Sequence, residues 1–205
     1  MMNHAYIAQR EPYRRATAQR FGVSEAAFDA VTLALAPLAV PVSLRKGEFL
    51  QRSGTPAQWM YWIFRGVTRN GFITESGAEV TLRFTMDGEA AGSHEDLLQA
   101  RAGIAAQHFV IAETAVEGHR MDWQEVMRVT QEQAIVRDYY LKAAEASIVR
   151  QSRRIGLGSH SSAQDRLAEF RREYPGLERR ISQKVIASFL GITPQYLSQM
   201  LRGAD

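Results

Sequence analysis

SFLGITPQYLSQML, residues 188–201, joins two apolar-edged helical runs across a single glycine. Ser182 can cap a first helix over residues 183–190, and a bend at Gly191 asks for a positive φ, which glycine adopts without a Cβ penalty. Thr193 can cap a second helix with Pro194 at its first position, where a missing N–H costs nothing. Two short helices joined by a Gly turn form a helix-turn-helix. Ile186, Leu190, Ile192, Leu197 and Met200 take the positions that must be apolar to hold the pair together, and small Ala187 lets the helices approach.

At about 100° per residue, Leu197, Met200 and Leu201 share one arc of the second helix. The opposite arc holds Gln195, Gln199 and Arg202, with Ser198 beside them. Glutamine can bond an adenine edge bidentately and arginine a guanine edge. The helix N-termini and Lys184 suit phosphates. The expected DNA-binding set is Ser182, Gln183, Lys184, Thr193, Pro194, Gln195, Tyr196, Ser198, Gln199 and Arg202. A helical hairpin that only completes a core explains the apolar positions. It does not explain an outer face of amide and guanidinium groups in place of the Glu/Lys mixture of an idle helix.

Working back along the chain, GLGSHSS (156–162) reads as a linker. Ser162 then caps a helix with Leu167 and Phe170 on its inner face, ended by Pro175-Gly176. Asp122 and Glu125 have the spacing of an N-cap and its N3 carboxylate, which predicts a helix running to about Ile155 with a break near Thr130. Ala134, Leu141, Ile148 and Ile155 repeat every seven residues, with Ala144 between them, as in a helix-pairing seam. The plainer alternative is one face packed on the preceding domain. From Val42 to Glu117, short apolar or alternating runs are punctuated by Gly, which suggests an antiparallel barrel or sandwich. Val80, Leu82, Phe84 and Met86 alternate with Thr81, Arg83 and Thr85, which predicts a strand with one buried face. Residues 11–40 read as helical, with Ser24 as a cap and Phe28, Val31, Leu35 and Leu38 on one side. The expected divisions are a helix plus barrel over 1–121, a long helix and linker over 122–158, and the helix-turn-helix over 159–205.

The 205 residues are 45% apolar and contain no Cys, which excludes disulfides, thiolate zinc sites and thiol catalysis. The five His are scattered without metal-ligand spacing, so neither a metal nor a cofactor is expected. No nucleophile–base pair or Gly-rich phosphate loop stands out, and an enzyme is not expected. Asp87, Glu89, Glu95 and Asp96 read as a solvated acidic loop. No apolar run is long enough to span a membrane, and MMNHAYIAQREPYRR lacks a secretory h-region, so a cytoplasmic place is expected. From residue 150 onward there are ten Lys/Arg against five Asp/Glu, whereas residues 1–149 carry fifteen against seventeen. A basic tail on a near-neutral body suits a polyanion.

The order barrel, long helix, helix-turn-helix resembles the Crp/Fnr family of bacterial transcription regulators. The resemblance lies in LRKGEFLQRSG, MYWIFRGVTR, GAEVTLRFTMDGEAAGS and AETAVE, similar to a cyclic-nucleotide-binding β-barrel, and in EYPGLERRISQKVIASFLGITPQYLSQMLR. It implies an α+β fold: an antiparallel β-barrel or jelly roll, a dimerisation helix, and a helix-turn-helix without a full β-wing. It also implies a homodimer on a pseudo-palindromic site in double-stranded DNA, with RNA polymerase and a small-molecule effector as further partners. Nucleotide-binding members carry a Gly-Glu pair and a later Arg beside Ser or Thr. Here those places read Gly92-Ser93, followed by His94 and Glu95, and Ala105-Ala106-Gln107. Cyclic AMP binding is therefore not expected unless Arg83 or Arg101 turns inward. The effector-pocket candidates are Arg83, Gly92, Ser93, His94, Glu95 and Gln107. The competing reading is a small-molecule-binding regulatory protein whose terminal helices contact protein instead of DNA.

Overall fold

The computed structural model describes residues 4–202, and the side chains of all of these except 154–160. Three helices open the chain: α1 (His4–Arg10), α2 (Arg14–Phe21) and α3 (Glu25–Leu35). The Ser24 side chain accepts from Ala27 N–H and starts α3, while Gly22 ends α2 in the left-handed region. Strands β1 (Val40–Leu44), β2 (Phe49–Gln51), β3 (Trp59–Arg65), β4 (Thr68–Ile73), β5 (Glu79–Thr85) and β6 (Glu89–Ala91) follow, then α4 (His94–Gln99), β7 (Phe109–Ala112) and β8 (Val116–Asp122). The chain continues through α5 (Trp123–Glu132), α6 (Ala134–His160), α7 (Ala163–Glu173), α8 (Gln183–Leu190) and α9 (Pro194–Arg202).

The described strands form two antiparallel four-stranded sheets, ordered β1-β8-β3-β6 and β2-β7-β4-β5. Leu50, Tyr61, Ile63, Val110, Ala112 and Val116 pack between them. A second core lies where Trp62 and Met121 meet α1, α3, α5 and α6 through Tyr6, Val31, Leu35, Val126 and Val136. A third joins the barrel to the C-terminal helices. There Phe84 of β5, 1% exposed, stacks edge-on against Phe170 (6.1 Å) and Tyr174 (5.4 Å) and lies 5.3 Å from Phe189 of α8.

Strand β5 departs from the alternation its sequence predicts. Thr81 and Thr85, expected to face solvent, are buried, while Leu82 is only partly so. The β4–β5 register gives the reason: Asn70 pairs with Arg83 and Gly71 with Thr81, leaving Leu82 as an extra residue. Such a bulge reverses parity, so Thr81 before it and Phe84 after it both meet α8. Ser188 of α8 accepts from Thr81 N–H (3.1 Å), lies 3.0 Å from the Thr81 hydroxyl and donates to Glu79 C=O (2.9 Å). Arg180 closes the same junction on Asp87, with Nη2 3.1 Å from Oδ1.

Two further corrections concern helices. The expected linker at 156–162 is helical as far as His160, and the turn falls at Ser161–Ser162. A helix already nucleated gains one bond per added residue, and isolated glycines cost only about 1 kcal/mol each. The break expected near Thr130 lies at Gln133, whose backbone is extended. Asp122 and Ser162 cap as expected, Asp122 accepting from Gln124 and Glu125 N–H, and Ser162 in a full capping box with Asp165.

His119 of β8 is 1% exposed. Tyr6 lies edge-on at 5.3 Å and Phe64 at 6.3 Å, and neither ring nitrogen has a partner among the described residues. Burial lowers its pKa from 6.5. The unfolded chain therefore takes up the proton first as pH falls, and stability drops from about pH 6.5 downward. Between pH 7 and 5, His119→Leu is expected to flatten the stability profile from urea denaturation. Phe84→Ala is expected to cost about 3–5 kcal/mol and to raise amide exchange in both β5 and α8.

Candidate nucleic-acid interface

Local chemistry builds the helical pair as the sequence predicts. The Ser182 hydroxyl accepts from Val185 N–H at 3.4 Å and starts α8. Gly191 ends α8 with φ at 66°, its N–H shared between Ala187 and Ser188 carbonyls. Thr193 Oγ1 accepts from Tyr196 N–H at 3.2 Å, with Pro194 as the first residue of α9. Ile186, Ala187, Leu190 and Leu197 are buried between α8, α9 and α7, with Ile192, Met200 and Leu201 partly buried against them.

The outer arc of α9 lies open. Gln195, Tyr196, Gln199 and Arg202 are exposed and Ser198 is half-buried, while Leu197 on the inner arc is wholly covered. Arg202 Nε reaches back to Ser198 C=O at 3.3 Å and leaves its outer N–H groups free to donate outward. Gln183 and Lys184 are exposed at the start of α8. Ser182 and Thr193 use their oxygens as caps, so toward a phosphate they offer only the hydroxyl hydrogen. Arg180 is engaged by Asp87 and Arg171 by Glu178, while Arg179 is exposed beside them.

The two faces of α6 differ, and the expected seam lies on the open one. Val136 is buried and Tyr139 packs edge-on against Phe21 at 5.6 Å, toward the N-terminal helices. Ala134 is exposed, Ala144 is half-buried, and Leu141 and Ile148 are 52% and 63% exposed. Ile155 lies outside the residues whose side chains are described. Leu141 and Ile148 therefore form an open apolar row among the described residues.

The effector-pocket candidates lie in several different surroundings. Ser93 is buried and caps α4, its Oγ 3.2 Å from His108 Nδ1. Arg83 is half-buried and donates to Gly92 C=O. Arg101, Glu95 and Gln107 are exposed, so Arg101 does not turn inward. His94 faces α6, hydrogen-bonded to Tyr140 at 2.8 Å and edge-on to Trp123. Beside them is Asp96, which the sequence reading assigned to a solvated loop. It is 0% exposed, and its carboxylate accepts from Gln107 N–H (3.0 Å), His108 N–H (3.1 Å) and Gln51 Nε2 (2.7 Å). Of the other three acids, Asp87 pairs with Arg180, Glu89 pairs with Arg20, and only Glu95 is solvated. Side-chain spacing alone gave no sign of Asp96, because its partners come from β2 and the turn before β7.

No family model and no curated protein sequence matches the chain. Solved structures do. FixK2 from Bradyrhizobium japonicum superposes with a TM-score of 0.67 at 19% identity, covering 80% of this chain and 83% of that one. CLP from Xanthomonas campestris, described as a c-di-GMP-responsive global regulator, gives 0.65 at 13% identity, covering 85% and 90%. A Eubacterium rectale protein described as a transcriptional regulator of the Crp/Fnr family gives 0.65 at 18% identity, covering 84% and 81%. The fold is that of the Crp/Fnr regulators. In Crp/Fnr terms the two sheets are the cyclic-nucleotide-binding-like β-roll, α6 is the long connecting helix, and α8–α9 is the helix-turn-helix. The second and third of these are regulators by their descriptions.

Burial alone would raise the Asp96 pKa. Hydrogen bonds from Gln107 N–H, Ser93 and His108 outweigh it and hold the carboxyl below its ordinary 3.8. Its stabilisation is thus fully present above pH 3.8 and is lost as pH falls through the lower folded value. Asp96→Asn is expected to cost about 2–3 kcal/mol at pH 7, and less at pH 2–3, by urea denaturation at both pH values.

Proposed function

We propose that the protein is a DNA-binding transcription regulator that acts as a homodimer. The observation that carries this reading is the outer arc of α9, with Gln195, Gln199 and Arg202 exposed together on a helix whose other side is sealed by Leu197. Base edges in the major groove need bidentate amide and guanidinium donors on one helical face, and this arc supplies them. Lys184, Arg179 and the N-terminus of α8 serve the flanking phosphates. The exposed Leu141 and Ile148 on α6, with Ala134 and Ala144, form the pairing surface for a second copy. The working units are the barrel with its N-terminal helices over 1–121, the long helix, and the helix-turn-helix from residue 161. RNA polymerase is the further partner such a regulator meets, and the cytoplasm is where it acts.

The barrel pocket does not read cyclic AMP. A cyclic phosphate needs donors, and the Gln107 and His108 amides already serve the Asp96 carboxylate. A phosphate placed beside that carboxylate would meet like charge in a desolvated site.

Selection of bound sites from a random duplex pool is expected to return a pseudo-palindrome. Replacing Gln195, Gln199 and Arg202 with Ala should remove sequence preference while circular dichroism and oligomeric state stay unchanged, each lost bidentate contact being worth about 1–3 kcal/mol. Unchanged site preference in the triple variant would exclude this use of α9. Leu141→Lys with Ile148→Lys is expected to give a monomer by sedimentation and to weaken operator binding at least 100-fold, through loss of avidity.

A further inference from the structure

Helix α1 buries a positive charge that the chain does not match. Arg10, its last residue, is 3% exposed and forms no ion pair among the described residues. Arg14 and Arg20 of α2, by contrast, meet the carboxylates of Asp29 and Glu89. What surrounds Arg10 is aromatic. Its guanidinium carbon lies 4.0 Å from the ring centre of Trp62, 4.5 Å from that of Phe28 and 5.4 Å from that of Tyr6. Nη1 donates to the Tyr6 hydroxyl at 2.5 Å. Tyr139 stands close as well: burial raises its pKa, and the Arg10 charge acts against that rise. Nε and Nη2 of Arg10 are buried and meet no acceptor among the described residues. Tyr6 belongs to α1 itself, so with α1 lifted three rings remain, Phe28 from α3, Trp62 from β3 and Tyr139 from α6. Ring faces attract a cation, and surroundings without a carboxylate favour a weakly hydrated guanidinium over an ammonium. The two unmet N–H donors weaken the docked state, because water would satisfy both once α1 lifts. The latch is therefore strong in its ring faces and incomplete in its hydrogen bonds.

We infer that Phe28, Trp62 and Tyr139 form a guanidinium-binding cage, which Arg10 fills as a built-in occupant and which a free guanidinium compound takes when α1 lifts. The rings are covered in this structure because the occupant is part of the roof: Arg10 and Tyr6 lie against them from the same short helix. A free guanidinium is not tied to a backbone, so it can turn its N–H groups toward the Tyr139 hydroxyl and toward water entering beneath the lifted helix. The wall on α6 lies in the same helical turn as Leu141 of the open row, so what fills the cage is felt by the long helix.

Arg10→Ala in the full chain empties the cage and is expected to lower Tm. Methylguanidinium chloride at low millimolar concentration, far below denaturing levels, should return about 3 °C of that loss. Tetramethylammonium chloride, which has no N–H to donate, and sodium chloride are the controls, and neither should match it. In the wild type, methylguanidinium is expected to speed amide exchange over α1 about tenfold while β8 stays unchanged. The inference is overturned if methylguanidinium gives the variant no more than either control does, an equal gain from sodium chloride pointing to a small anion instead. It is equally overturned if wild-type exchange over α1 does not change. Should Arg10→Ala not fold, the wild-type exchange decides alone. These readouts need no DNA, so they stand or fall separately from the reading of α9.

Discussion

Strand β5 and helix α8 meet through one hydroxyl and one phenyl ring, and that contact fixes where α9 sits relative to the barrel. Ser188 takes the Thr81 N–H that a neighbouring strand would otherwise use, and returns its own proton to Glu79 C=O. Phe84 fills the space among Phe170, Tyr174 and Phe189. Both depend on the extra residue at Leu82, because without it Thr81 and Phe84 would point to opposite faces of the sheet. The edge strand is thereby covered by a helix, which also removes an edge that could pair with another chain. The sheet edge thus serves as the seat of the helix-turn-helix.

The same sheet pair also holds a buried charge. Asp96 carries a charge into a site with no exposure, and it is tolerated because the Gln107 and His108 amides and Gln51 Nε2 converge on its carboxylate. A carboxylate held by several donors is a rigid strut: its hydrogen bonds tie α4 to β2 and to the turn before β7. The Gln107 and His108 amides are thus spent on a carboxylate of the chain itself.

Much of this was legible from local chemistry. Ser24, Asp122, Ser162, Ser182 and Thr193 cap helices where spacing placed them, and Gly191 takes the left-handed bend, because caps and turns are decided within four residues. The exposed arc of α9 follows from helical periodicity alone. What escaped was set at long range. The bulge at Leu82 is defined by its partner strand, and Asp96 by residues 11 to 45 positions away. The glycines at 156 and 158 read as a linker, yet the helical backbone passes through them, since propensity is a weak term beside continued propagation. Helix α1 gave no amphipathic signal because Tyr6 and Arg10 are buried together, the guanidinium lying 4.0 Å over Trp62 and 4.5 Å over Phe28.

Dimensions tie the exposed seam to the exposed reading arc. Helix α9 has nine residues, so it is about 13 Å long and its three outward side chains can read only a few base pairs. With each contact worth about 1–3 kcal/mol, one such helix discriminates poorly among the non-specific sites of a genome. Two copies held about one duplex turn apart convert the second encounter into an intramolecular one. Helix α6, 27 residues and about 40 Å long, is long enough to set that separation. In the proposed homodimer, its bare leucine and isoleucine row would meet the same row of a second copy through an isologous contact. On the proposed reading, the short helix and the uncovered long one are two parts of one design, each copy carrying half of a recognition surface.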